Sequence, residues 1–254
     1  MSIFKLSLLF MLMCVVLLLF NMPASLFGTF LNKSCSNQCR LADAHGGFWS
    51  GNGILFVRER RGGKWLNLGK LDWRSGWSSG VTPRLRLDLN GGILITYVTL
   101  TGWRAEFNRF SIPAQALLGH VGHALPATGW GGMLEAAQGK LAKNWAGNTP
   151  EGHGRVYWRK ASSVAFSSRT LGDYKLNWQS SSAGETHFSL DTLRGMLTLV
   201  GQGSVRRGVF SFNGSAEVEN AQESILLSLL ANFGRPDPSF PVNPPLRYLL
   251  KWPH

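Results

Sequence analysis

Residues 84–90, RLRLDLN, alternate polar and apolar side chains one for one, and this period of two recurs along most of the chain. Leu85, Leu87 and Leu89 fall on one face while Arg84, Arg86 and Asp88 fall on the other, the pattern of a β-strand with one wetted side. Residues 93–101, 155–160, 174–178, 196–200 and 209–212 repeat it, and glycines such as Gly62-Gly63, Gly91-Gly92, Gly131-Gly132, Gly201, Gly203, Gly208 and Gly214 punctuate the runs. Many short strands at this spacing predict an antiparallel sheet system rather than βαβ units. Residues 46–53, GGFWSGNG, read as a turn feeding a strand: ILFVRER follows, so no helix N-terminus is there to hold a phosphate. Trp49 is expected to be the apolar anchor of that turn. Two helices interrupt the pattern. One covers residues 113–118. The other starts at Asn220, with Glu223 in capping-box position and Ile225, Leu226, Leu229, Leu230 and Phe233 as an apolar stripe to lay over the sheet. Prolines from Pro236 to Pro245 then force an extended loop before a last strand or arm, LRYLLKW.

The period of two fails at the N-terminus. Between residues 6 and 20 every residue but Ser7 is apolar, and no charge lies between Lys5 and Lys33. At about 1.5 Å per residue this run is shorter than the roughly 30 Å hydrocarbon layer, but the uncharged residues 21–31, NMPASLFGTFL, can extend it. The expectation is an uncleaved membrane anchor over residues 1–32 and a β-rich domain over residues 33–254. A cleaved secretory signal is the alternative, with Ala24 and Ser25 as its small residues beside Met22 and Pro23. Lys5 on one side and Lys33 and Arg40 on the other leave the charge rule for orientation almost balanced. The short segment before Lys5 puts the main domain on the far side.

Cys14 lies in the apolar run, which leaves Cys35 and Cys39, in SCSNQC, as a candidate disulfide in an oxidising compartment or as two reduced surface thiols. Two cysteines without a second Cys or His pair supply too few ligands for a metal. Lys and Arg number 26 against 14 Asp and Glu, a net charge of +12 that suits acidic partners or anionic lipid headgroups. The longest basic block is RERR at residues 58–61, so the charge is spread over strand faces. With no nucleic-acid-binding motif, nucleic acid ranks last among partners.

One stretch imitates a catalytic motif. GWSSG, residues 76–80, matches Gly-x-Ser-x-Gly around Ser78, but a hydrolase elbow needs a helix next, and Pro83 with the alternating residues 84–90 follows instead. His120 and His123 have the wrong spacing for a zincin pair, and Asp173 reads as a turn or strand-start residue. No enzyme activity, cofactor or metal is expected. The ten tryptophans could stack on a sugar or line a lipid groove; burial within the sheet is the preferred reading.

LGKLDW at residues 68–73 is echoed by LGDYKLNW at residues 171–178, which suggests two related halves over residues 41–125 and 150–254. In order along the chain, MPAS, GGFWSGNG, LGKLDWR, IPAQALL, GRVYWRK, LGDYKLNW, LRGMLTLVGQGSV, GVFSFNGSAEV and ILLSLLANFGRPD resemble the type II secretion system protein N family. The residues carrying that pattern are Gly47, Trp49, Gly51, Trp73, Gly172, Asp173, Tyr174, Gly195, Gly214, Gly234, Pro236 and Asp237. Cys35 and Cys39 lie outside it, and PDPSFPVNPP replaces a more direct passage to a closing Gly-x-Tyr strand. The resemblance implies a mainly β, non-enzymatic protein of the bacterial inner membrane. It would have a single transmembrane helix and a glycine-rich antiparallel sheet or sandwich-like periplasmic domain under one or two covering helices. Its implied partners are other type II secretion components: the inner-membrane platform, the clamp-like protein C and the secretin complex. A periplasmic lipid-binding β-groove is the alternative function.

Overall fold

The alternating runs become neighbouring strands of one sheet. A computed structural model of the chain describes residues 3–59, 63–79, 82–118, 129–147, 149–163, 170–206, 209–218, 230, 234–236 and 246–252. Within them the first half contributes β1 (Cys39–Gly46), β2 (Ser50–Arg58), β3 (Trp65–Ser78), β4 (Thr82–Leu89), β5 (Gly92–Val98) and β6 (Gly102–Pro113). The second half contributes β7 (Trp130–Asn144), β8 (Glu151–Ser163), β9 (Thr170–Ser180), β10 (Glu185–Gly195), β11 (Leu197–Arg206) and β12 (Val209–Val218). β13 (Gly234–Pro236) and β14 (Leu246–Trp252) close the sheet, with β14 paired to β12 and β13 outside it. All 14 strands pair antiparallel with neighbours next to them in the chain, the swapped last two apart. The sandwich-like alternative therefore does not form among the described residues. Up to β12 each strand returns beside the strand just made, and among the described residues no second sheet forms. Pro236 sits on the outermost strand, where its missing N–H costs no ladder bond.

The N-terminal run is split. α1 (Ile3–Phe20) ends at Asn21-Met22, and α2 (Ala24–Ser34) begins after Pro23, whose extended backbone (φ −71°, ψ 155°) stops the helix from running through. Residues 21–31 thus do not lengthen the apolar helix, contrary to expectation. Ala24 and Phe27 are buried and α2 packs along β1 and β2, so the expected division at residue 32 falls inside a helix that belongs to the sheet's core. Among the described residues no helix is long and apolar enough to cross a membrane. α1 nevertheless carries its large apolar side chains from Leu8 to Phe20 exposed. Cys35 and Cys39 are bonded across the turn from α2 into β1, with Cα atoms 5.6 Å apart.

The register explains the glycine content. One row of facing residues runs Gly51, Trp73, Leu87, Leu94, Phe107, Gly139, Gly154, Trp178, Phe188, Gly203, Phe212. It holds only apolar residues and glycine, so one face of the sheet is apolar from β2 to β12. The large rings lie over glycines of the preceding strand, Trp73 over Gly51 and Trp178 over Gly154, which the echoed LGKLDW and LGDYKLNW motifs supply in each half. A Cβ at Gly154 would stand 2.8 Å from Trp178 Cζ2, closer than packed carbons approach. Gly154→Val is expected to cost about 1–3 kcal/mol through this overpacking, read as a lower urea midpoint at unchanged slope.

Two cores form on the apolar face. One gathers Phe27, Leu55, Leu71, Trp73 and Leu89 with Ala116 of α3 (Ala114–Leu118). The other gathers Leu171, Tyr174, Leu197, Val218 and Tyr248 with Leu230. Leu230 is helical and 3% exposed; the rest of the expected helix at residues 220–233, Asp237, and His120 with His123 lie outside the described residues.

Candidate functional site

The opposite face carries two polar rows flanking the apolar one. The first runs Arg74, Arg86, Ile95, Glu106, Lys140, His153, Gln179, His187, Ser204, Ser211; the second runs Asp72, Asp88, Ile93, Asn108, Gln138, Arg155, Asn177, Ser189, Gln202, Asn213. Charges dominate β3 to β7 and are knit by exposed ion pairs: Arg86–Asp88, Lys70–Asp72 and Lys140–Glu106, the last two at 3.3 Å. Such pairs add little stability, and their effect is to leave the face solvated and net basic. From β8 to β12 Arg155 is the only Lys, Arg, Asp or Glu in the same two rows.

That region holds a trough of about 1070 Å³ lined by residues of both rows. It is lined by the Arg155 guanidinium, by amides, hydroxyls and imidazoles, and by Gly154, Trp178, Phe188, Gly203 and Phe212 of the apolar row. Arg155 Nε donates to Asn177 Oδ1 (3.2 Å), and Asn177 Nδ2 donates to Ser189 Oγ (3.1 Å).

The motif residues form two clamps. In the first, Trp73 is 2% exposed, stacks on Phe27 with centroids 4.4 Å apart, and donates its indole N–H to the carbonyls of Gly47 (3.2 Å) and Phe48 (3.1 Å). Gly51 leaves room for its ring. Trp49 is not the buried anchor expected of it. Its indole donates to the Leu19 carbonyl of α1 (2.6 Å) while its ring stays 43% exposed, because Phe48 and Trp73 already fill the space under the turn.

The second clamp is built on LGDY. A bulge in β8 at Lys160, with φ of +48°, turns the Lys160 amide toward β9, and Asp173 Oδ1 accepts it at 2.7 Å. Arg194 Nε donates to Asp173 Oδ2 (2.7 Å), and Arg159 Nη1 stands 3.6 Å away. Burial alone would push this carboxyl up; the Lys160 amide, Arg194 and Arg159 together bring it below the ordinary carboxylate range. Tyr174 donates its hydroxyl to the Leu197 carbonyl (2.9 Å), and burial, reinforced by the Asp173 charge, pushes that hydroxyl up. Gly172 and Gly195 face each other at the close approach of β9 and β10. Gly214 faces Gly201, and Gly234 faces Leu250. Nothing in the sequence marks Arg159, Lys160 and Arg194 as the partners of Asp173, since they stand on neighbouring strands.

Ser78 ends β3 opposite Thr82, and β4 follows it, so the helix a nucleophile elbow needs is replaced by a strand. Among the described residues no group of three His, Cys, Asp or Glu side chains could hold a metal ion. What the arrangement offers chemically is docking surface: a basic face, a trough and a β1 edge that carries no further strand among the described residues.

No curated protein and no solved structure matches the chain. A family model described as type II secretion system (T2SS), protein N, matches residues 37–242, from the turn before β1 to beyond β13, and thus takes in the strands β1 to β13 and the second clamp, while Phe27 of the first clamp and β14 lie outside it. The chain belongs to the type II secretion system protein N family.

Proposed function

We propose that this protein is a non-enzymatic inner-membrane component of type II secretion, held at the membrane by α1, with its sheet in the periplasm. The family match over residues 37–242 carries the reading. α1 supports the anchoring role, because a helix apolar on all sides with its side chains exposed is stable only in an apolar medium. The Cys35–Cys39 bond suits an oxidising compartment such as the periplasm. The anchor then covers α1, and the folded domain begins at α2. The basic face and the free edge of β1 dock other secretion components: the inner-membrane platform, protein C and the secretin complex. Deleting the chain is expected to leave exported proteins stranded in the periplasm, and the full chain is expected to co-purify with platform components from solubilised inner membrane. Normal secretion together with an empty co-purification would sink the reading.

A periplasmic lipid-binding groove is the second reading. The half-buried middle of the apolar row, Leu94 and Phe107, favours it, since no described helix covers these residues. Mass spectrometry of the purified full chain decides it: stoichiometric lipid supports the groove, and lipid-free protein removes it.

A further inference from the structure

The turns of a meander fall alternately at two ends of the sheet, and α1 leaves from one of them. Trp49, in the β1–β2 turn, holds the Leu19 carbonyl, and the neighbouring Phe48 amide donates to the Met22 carbonyl at 2.8 Å. The β3–β4, β5–β6 and β7–β8 connections lie at that same end. The last two are tied together, for the Trp145 amide donates to the Thr101 carbonyl (2.9 Å) and its indole to the Thr99 carbonyl (3.1 Å). At this end Trp77, next to the last residue of β3, is 68% exposed, and in the connections Leu100 is 100% and Trp145 57% exposed. None of the three belongs to either core. With strands about 4.8 Å apart, the span from the β1–β2 turn to the β7–β8 connection is roughly 30 Å, so these side chains are spaced along one rim of the sheet.

Beside this rim the polar face is basic. Arg74 faces Arg86, Arg84 faces Tyr97, and Arg104 lies 5.4 Å from the centre of the Tyr97 ring. Asp88 pairs with Arg86, but among the described residues no carboxylate pairs with Arg74, Arg84 or Arg104, and Arg84 Nε is buried without a hydrogen-bond partner. Exposed indoles, those of Trp49 and Trp145 with satisfied N–H groups, next to guanidinium groups that no described carboxylate pairs with, match the boundary between acyl chains and anionic headgroups.

We propose that the end of the sheet from which α1 departs is a bilayer-docking rim. Trp49, Trp77, Leu100 and Trp145 enter the headgroup boundary, and Arg74, Arg84 and Arg104 meet anionic lipid phosphates. The inference rests on the anchoring role of α1 and adds an orientation: the strands stand off the membrane, and the end bearing α3 and Leu193 points away from it.

The test uses the full chain with Cys14→Ser and an environment-sensitive nitrobenzoxadiazole label at Leu100→Cys or, at the far end, Leu193→Cys. Each is mixed with vesicles of phosphatidylethanolamine and phosphatidylglycerol and floated on a density gradient. Both labelled chains are expected to float. Emission from the Leu100 label shifts to shorter wavelength and is quenched by brominated lipid, while that from the Leu193 label does neither. Adding Arg84→Gln and Arg104→Gln, or using phosphatidylcholine alone, reduces the Leu100 quenching severalfold. Floating chains whose two labels report the same aqueous surroundings overturn the rim and leave the anchor standing. Leu100 quenching that ignores both the arginine substitutions and the lipid charge overturns the headgroup contact. Chains that stay at the bottom of the gradient overturn anchor and rim together.

Discussion

Trp73→Ala is expected to destabilise the folded chain by about 3–5 kcal/mol, measured as a fall in the urea midpoint of the purified full-length protein. Trp73 is 2% exposed, so truncation opens a cavity in a core that, among the described residues, has no second sheet to collapse into it. Phe27 loses a stacking partner at 4.4 Å, and the carbonyls of Gly47 and Phe48 lose their indole donor. The damage should spread to α2, which meets the sheet through Phe27. Limited proteolysis of the variant is expected to cut first near Lys33 and Arg40. Trp73→Phe keeps a ring against Phe27 and loses the N–H, and should cost less than half as much. A midpoint for Trp73→Ala within about 1 kcal/mol of wild type would show that α2 and β3 do not form a common core.

Asp173→Ala comes next, at about 3 kcal/mol, because it leaves the Lys160 amide of the bulge unpaired inside the sheet and removes the acceptor of Arg194 and Arg159. Arg194 is 78% exposed, so solvent screens its share and the buried amide bond is the larger part. Acid dependence separates charge from hydrogen bonding. Folding lowers the Asp173 pKa, so the unfolded carboxyl takes up a proton first; the charge-dependent stability is complete above the unfolded value of about 3.9 and is lost as pH falls through the lower folded one. Asp173→Asn, which can still accept the amide bond, should therefore be less stable than wild type near neutrality and approach it toward about pH 3. A constant gap between the two across that range would remove the charge from the explanation.

The sheet was legible because alternation is a local property. RLRLDLN states its two faces whatever lies beside it, and it became β4 with Leu89 fully buried. The echo between LGKLDW and LGDYKLNW was visible as well, and the register gave it a cause, a tryptophan laid over a glycine of the preceding strand. Asp173, read as a turn or strand-start residue, does stand near the start of β9, but its burial was not legible, since a lone carboxylate near a strand start looks the same whether it is wetted or buried among arginines. Its partners are a bulged amide 13 residues back and Arg194, 21 residues on. The polar trough was equally hidden: Asn177, Ser189, Gln202 and Asn213 are unremarkable singly and become a wall only when four strands bring them into one row.

By itself, then, the sequence determined that the chain makes glycine-punctuated antiparallel strands with one apolar face behind an apolar leader, and it pointed to the family. Those features depend on residues two to four apart, whose relative directions the backbone dictates. Only the tertiary structure decided that the strands form one meander rather than a sandwich, that Pro23 hands residues 24–34 to the core, and that Trp49 grips α1 with its ring exposed. These outcomes turn on which surfaces compete to cover the same apolar face, a contest among residues far apart in the chain that no local pattern records.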